Sequence, residues 1–181
     1  LRSPRGLALG VELDPVLRTV AVGKGEMLRE GRDIVLVAYG SMVPVAGQVA
    51  EELGKRGVSC GVANARFAKP LDMELLGRIA QASPRILTLE EHLGIGGFGA
   101  GVLEAFHAAG LPTEGLKSHA IPDIFVDHSP QLQQRHTLKL DAEGVLQRVR
   151  ELYPELARSS PTGAAGTDRG KKEKFAETVT W

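Results

Sequence analysis

Ile34-Val35-Leu36-Val37-Ala38-Tyr39-Gly40-Ser41-Met42-Val43-Pro44 is the stretch whose reading decides the fold. Its first six residues are an uninterrupted apolar run, the pattern of a strand covered on both faces. Gly40 and Ser41 then break it. Ser41 is a residue type that caps helices, and Pro44 falls in the first turn, where a missing N–H leaves nothing unpaired. Val45, Val49 and Leu53, with Ala46 and Ala50, follow at helical spacing, and Gly57 suits the position just past a helix end. A buried strand turning tightly into an amphipathic helix is the repeating unit of a parallel α/β sheet.

The unit recurs downstream. Residues 58–64 read as a strand, and Lys69-Pro70-Leu71-Asp72 starts a helix that runs to about residue 82. Residues 85–89 read as a strand ending in Glu90-Glu91-His92. A glycine-rich turn follows, then a helix over 98–109, a strand over 116–121 and a helix over 141–152 with Asp141 as N-cap. Upstream, residues 19–28 carry Gly23 and Gly25 and read as a leading strand. Strands alternating with helices of this length predict an α/β domain with a mainly parallel sheet and right-handed crossovers.

The chain has 181 residues, 43% of them hydrophobic and 24% charged, which is ordinary for one globular domain. Its 22 basic and 22 acidic side chains cancel, so charge recommends neither nucleic acid nor an anionic membrane as partner. Aromatics at 4% argue against a base-stacking platform. The single cysteine, Cys60, has no internal partner for a disulfide and sits in an apolar run, which fits a small buried side chain in a reducing compartment. No apolar stretch approaches the length of a membrane span.

Gly94-Ile95-Gly96-Gly97-Phe98-Gly99 matches G-x-G-x-x-G between a strand and a helix. The unit is late in the βα series, where the dinucleotide fingerprint is expected first, and Glu90 and Glu91 place negative charge where a pyrophosphate would lie. A tight turn where backbones approach closely is the preferred reading. Glu90 and Glu91 end a strand at the carboxyl edge of the sheet, where open α/β sheets place ligand sites; they are acid/base or partner-binding groups on one reading and complements to a helix N-terminus on the other. Asp123, Asp127 and His128 follow no metal-ligand spacing, and a proline-initiated turn with an Asx bond accounts for Pro122-Asp123, so no metal site is assigned. No Ser/His/Asp order, P-loop lysine or CxxC pair is present, and no catalytic residue is assigned.

Leu1-Arg2-Ser3-Pro4-Arg5-Gly6 opens the chain without Met and reads as the continuation of something larger. Two guanidiniums flank a proline of fixed φ, and Arg forks bind phosphate or carboxylate through paired hydrogen bonds. After Tyr153-Pro154 the composition shifts to Ser159-Ser160-Pro161-Thr162-Gly163-Ala164-Ala165-Gly166 and a Lys-rich stretch. The expectation is a domain over residues 1–157 and a flexible tail over 158–181.

Taken in order, Arg2-Ser3-Pro4-Arg5-Gly6, Val22-Gly23-Lys24-Gly25, Val37-Ala38-Tyr39-Gly40-Ser41-Met42, Asn64-Ala65-Arg66-Phe67-Ala68-Lys69-Pro70-Leu71-Asp72, Leu89-Glu90-Glu91-His92 with Gly96-Gly97-Phe98-Gly99, and Ile121-Pro122-Asp123 resemble one family: the C-terminal domain of 1-deoxy-D-xylulose-5-phosphate synthase, a transketolase-like enzyme. The resemblance covers about residues 1–153. It implies a three-layer α/β domain with a mostly parallel five-stranded sheet and one antiparallel edge strand. It also implies a parent enzyme that condenses pyruvate with glyceraldehyde 3-phosphate at thiamine diphosphate and Mg²⁺. The family's cofactor-binding and catalytic groups lie upstream, so this chain alone is expected to bind no cofactor and to be inactive.

What carries over is Arg5, matching the arginine that meets the substrate phosphate, with Arg2 matching the family's first arginine. Ser3 stands where the family has Tyr and removes a packing surface. Glu90, Glu91, His92, Gly96, Gly97 and Phe98 become candidates for contact with upstream domains of the same polypeptide or with the second subunit of a homodimer. The implied location is the cytoplasm, or the plastid stroma in a eukaryote. A non-catalytic assembly module pairing with separate catalytic subunits is the alternative.

Overall fold

In the computed structural model, which describes Val16 and residues 19–158, the run opening at Ile34 is the fully buried second strand of a five-stranded sheet. The strands are β1 (Glu26–Arg29), β2 (Ile34–Ala38), β3 (Cys60–Asn64), β4 (Ile86–Leu93) and β5 (Leu116–Ile121), in the order β1-β3-β2-β4-β5. β2, β3, β4 and β5 pair in parallel, and β1 runs antiparallel along β3 at one edge. The mixed, mostly parallel sheet with one antiparallel edge agrees with the expected fold class. Arg2, Arg5 and the expected tail beyond residue 158 lie outside the described residues.

Alternation along β2 divides the core. Ile34, Leu36 and Ala38 face helices α1 (Met42–Gly54) and α5 (Ala142–Leu152), where Val49, Leu53, Val145 and Val149 close one layer. Val35 and Val37 face α2 (Met73–Ala82) and α3 (Phe98–Ala108), where Leu75, Ile79, Val102 and Phe106 close the other. Cys60 is buried in the first layer, and burial pushes its thiol up to about 12. The β2–β3 crossover moves one way along the sheet over one face, while the β3–β4 and β4–β5 crossovers move the other way over the opposite face. All three therefore share one hand, as the right-handed rule requires.

Several boundaries differ from the sequence expectation. β1 is shorter than the 19–28 stretch because only Glu26–Arg29 reaches the ladder with β3. β4 runs on through Glu90, Glu91 and His92 to Leu93, with an irregularity in its pairing to β5 between Leu89 and Leu93. Asp72 and Asp141 cap as expected, accepting from Leu75 N at 3.0 Å and Gly144 N at 2.8 Å. Ser41 occupies the cap position of α1 but makes no cap hydrogen bond. A short helix, α4 (Gln131–Thr137), was not anticipated, and a 3₁₀ turn over Pro154–Arg158 follows α5.

Candidate functional site

β2 and β4 are neighbours, yet the helices that follow them cover opposite faces. A crevice therefore opens at their carboxyl ends, the topological switch point where open α/β sheets bind ligands. Glu90 and Glu91 stand at this point, and the alternating pleat of β4 sends their side chains to opposite fates.

Glu90 turns inward and is 1% exposed. Its Oε2 accepts from Phe98 N at 2.7 Å and its Oε1 from Gly99 N at 2.8 Å, so the carboxylate occupies the first amides of α3. Those are the groups a phosphate would use at a helix start. Gly97 has no room for a side chain, since a Cβ would collide with Leu93 O and the Glu90 carboxylate; one on Gly99 would collide with Ser118 and Thr88. The Gly94–Gly99 turn is thus a close-packed junction, and its helix-terminal charge is supplied from within. Phe98 is buried beside it and stacks on Tyr39, with ring centroids 5.3 Å apart.

Glu91 turns toward the crevice. Its Oε1 accepts from Arg135 Nε at 2.5 Å and its Oε2 from Arg135 Nη2 at 3.0 Å, a forked pair contributed by the unanticipated helix α4. Ser41 Oγ also donates to Glu91 Oε2, which explains why it leaves the α1 amides uncapped. Burial would raise the Glu91 carboxyl, but hydrogen bonds from Arg135 and Ser41, with the guanidinium charge, hold it below the usual carboxylate range. The network joins β2, β4 and α4 across the switch point.

The remaining sequence candidates separate by burial. His92 and Gly96 are exposed, Glu91 and Gly97 are half-buried, and Glu90 and Phe98 belong to the interior of the domain. Of the set, only the exposed and half-buried members reach the surface of this domain. Among the described residues no group of His, Cys, Asp and Glu forms a metal cluster, and no helix is long and apolar enough to cross a membrane.

Two features of this edge escaped the sequence reading. Arg66, just past β3, has φ of 56°, a left-handed backbone that costs a β-carbon residue about 1 kcal/mol or more. Its amide donates to Asn64 Oδ1 at 3.0 Å and its Nη2 pairs with Glu26. The second is an apolar rim: Ile95, Ile124, Phe125 and Leu132 project from the loops after β4 and β5 and from α4.

Residues 23–145 match the family described as Transketolase, C-terminal domain. The chain belongs to that family. It is 42% identical over 152 residues to the 1-deoxy-D-xylulose-5-phosphate synthase of Heliobacterium modesticaldum, covering 84% of this chain and 23% of that protein. To the synthase of Thermosynechococcus vestitus it is 46% identical over 153 residues, covering 82% of this chain and 24% of the relative. This transketolase C-terminal domain thus spans about a quarter of the length of the curated relatives it matches. A split-gene transketolase solved as an inactive β4 tetramer superposes with a TM-score of 0.64 at 27% identity, over 83% of this chain and 45% of that one.

Proposed function

We propose that this chain is the C-terminal domain of a thiamine-diphosphate-dependent 1-deoxy-D-xylulose-5-phosphate synthase, contributing substrate-phosphate binding and assembly surface. The observation that carries the proposal is its identity of 42% and 46% to synthases along more than four-fifths of its length. Arg5, with Arg2, supplies guanidiniums for the phosphate of glyceraldehyde 3-phosphate. Arg66 adds a strained cationic residue at the carboxyl edge, a conformation that clusters at functional sites.

The described residues do not fit the thiamine diphosphate and Mg²⁺ themselves. The α3 N-terminus, where a diphosphate would seat, already holds the Glu90 carboxylate, and Glu91 is committed to Arg135 and Ser41. On this reading the cofactor belongs to the rest of the longer protein, this chain alone is inactive, and the protein works in the cytoplasm or, in a eukaryote, the plastid stroma.

The test is made on the full-length protein. It should convert pyruvate and glyceraldehyde 3-phosphate into the deoxyxylulose phosphate with release of CO2, and residues 1–181 alone should yield none. Arg5→Ala should raise KM for the aldehyde phosphate by roughly 10- to 150-fold, the loss of one charged hydrogen bond. Unchanged KM and kcat would remove Arg5 from the site. The split-gene neighbour supports a second reading, an assembly module paired with separate catalytic subunits. A reading frame without upstream catalytic sequence would favour it.

A further inference from the structure

The carboxyl edge carries an apolar rim to which the proposed function assigns no partner. Phe125 is 104% exposed, Leu132 78% and Ile95 75%, with Ile124 and Val126 also uncovered. These side chains lie on adjoining pieces of chain. Gly94 N donates to Ile121 O at 3.0 Å, joining the loop of Ile95 to the loop of Phe125. Gln134 Nε2 donates to Asp127 O at 3.0 Å, and the Glu91–Arg135 fork ties the helix of Leu132 to β4. Single exposed apolar residues are unremarkable, but neighbouring ones of this size mark an interaction surface.

The path of the chain indicates what covers it. β1 is antiparallel and begins at Glu26 opposite Asn64, the last residue of β3, so the polypeptide reaches the sheet from the carboxyl edge. Gly25 N bonds Asp72 Oδ2 at 3.0 Å, and Lys24 pairs with Glu74 at 2.7 Å, fixing that arrival beside the start of α2. The chain leaves at the other end. The Tyr153 hydroxyl lies 2.9 Å from Ile86 O and 3.0 Å from Gly115 O, and Arg85 pairs with Glu155, all at the amino edge. Residues 19–25 thus approach the sheet from the edge that carries the rim. Four strand spacings separate β1 from β5, roughly 19 Å, which is less than the width of a small domain.

We infer that Phe125, with Ile95, Ile124 and Leu132 around it, is the anchor by which this domain seats against the preceding domain of its own polypeptide. The Glu91–Arg135–Ser41 network acts as the positioning group that sets the rim. Docking there also covers the β2/β4 crevice. The inference rests on the reading of this chain as part of a longer synthase, whose relatives are about four times its length.

Hydroxyl-radical footprinting of the full-length protein, read by mass spectrometry, tests it. Phe125 and Ile95 should be labelled on the order of tenfold more slowly than freely exposed side chains, as expected for a buried interface anchor, and equally at low and high protein concentration. Phe125→Asp should restore labelling of Ile95 and Leu132, while Leu103→Asp, on the outer face of α3, should not. Fast labelling of Phe125 in the wild type would overturn the inference. So would protection that disappears on dilution, which would assign the surface to a second copy. Product formation is assayed in parallel. Activity with an unprotected rim sinks the docking alone, and a protected rim without activity sinks the synthase reading alone.

Discussion

The turn after β4 and the segment after β5 lie side by side at the carboxyl edge, yet they are held by different physics. The first is fixed by a buried carboxylate on two backbone amides and by glycines that admit no side chain. The second, through α4, buries no residue of the helix and is secured by side-chain pairs reaching partly into water. Removing the first leaves orphaned donors in the interior; removing the second leaves groups that water can satisfy. One junction is therefore inseparable from the fold, and the other can be shifted without unfolding it.

Substitutions should separate the two. Glu90→Ala should cost this chain about 3 kcal/mol, because two buried amides lose a charged acceptor. Urea unfolding measures it, and a loss below about 1 kcal/mol would mean the α3 amides find another partner. Gly97→Ala should cost roughly 2 kcal/mol through forced backbone movement, with a midpoint shift at unchanged m-value as its signature.

His119 offers an intermediate case, since it sits on β5 but contacts the turn between α4 and α5. Its Nε2 donates to Lys139 O at 2.7 Å, and burial, reinforced by the Arg148 charge, lowers its affinity for a second proton. The unfolded chain then binds more protons than the folded one below the ordinary histidine value of 6.5. Stability should be complete above that pH and decline as pH falls through it. His119→Gln should cost about 1 kcal/mol at neutral pH and flatten the decline; a wild-type midpoint that stays level from neutral to acidic pH would remove His119 from the account.

Arg135→Ala should cost less than about 1 kcal/mol while raising amide exchange across Gln131–Thr137 and leaving α3 protected. Equal loosening of both segments would erase the contrast. Phe125→Ser should leave the stability of this chain within about 0.5 kcal/mol, since its side chain touches nothing the fold depends on.

The same contrast explains what the sequence disclosed. β2, α1 and β3 were legible because a continuous apolar run and a helical stripe leave one way to bury both faces. Asp72 and Asp141 announced their helices because a cap is a local device. α4 was illegible: Gln131-Leu132-Gln133-Gln134-Arg135-His136-Thr137 shows no buried stripe, and its anchor is a residue 44 positions earlier in the chain. Ser41 looked like a cap because its type permits one; the competing acceptor, Glu91, becomes its neighbour only when β2 and β4 pair. The positive φ of Arg66 carries no signature in its residue type, since glycine would be the expected occupant.

Cys60 has a practical corollary. Burial pushes its thiol up to about 12, so the reactive thiolate is scarce near neutral pH, and the side chain is sealed in the core. No other cysteine competes with it in this chain. The domain is therefore a ready chassis for site-directed labelling. A single cysteine introduced at position 125 or 95 would accept a spin label or a fluorophore selectively, turning the carboxyl edge into an optical or magnetic reporter without first editing the native sequence.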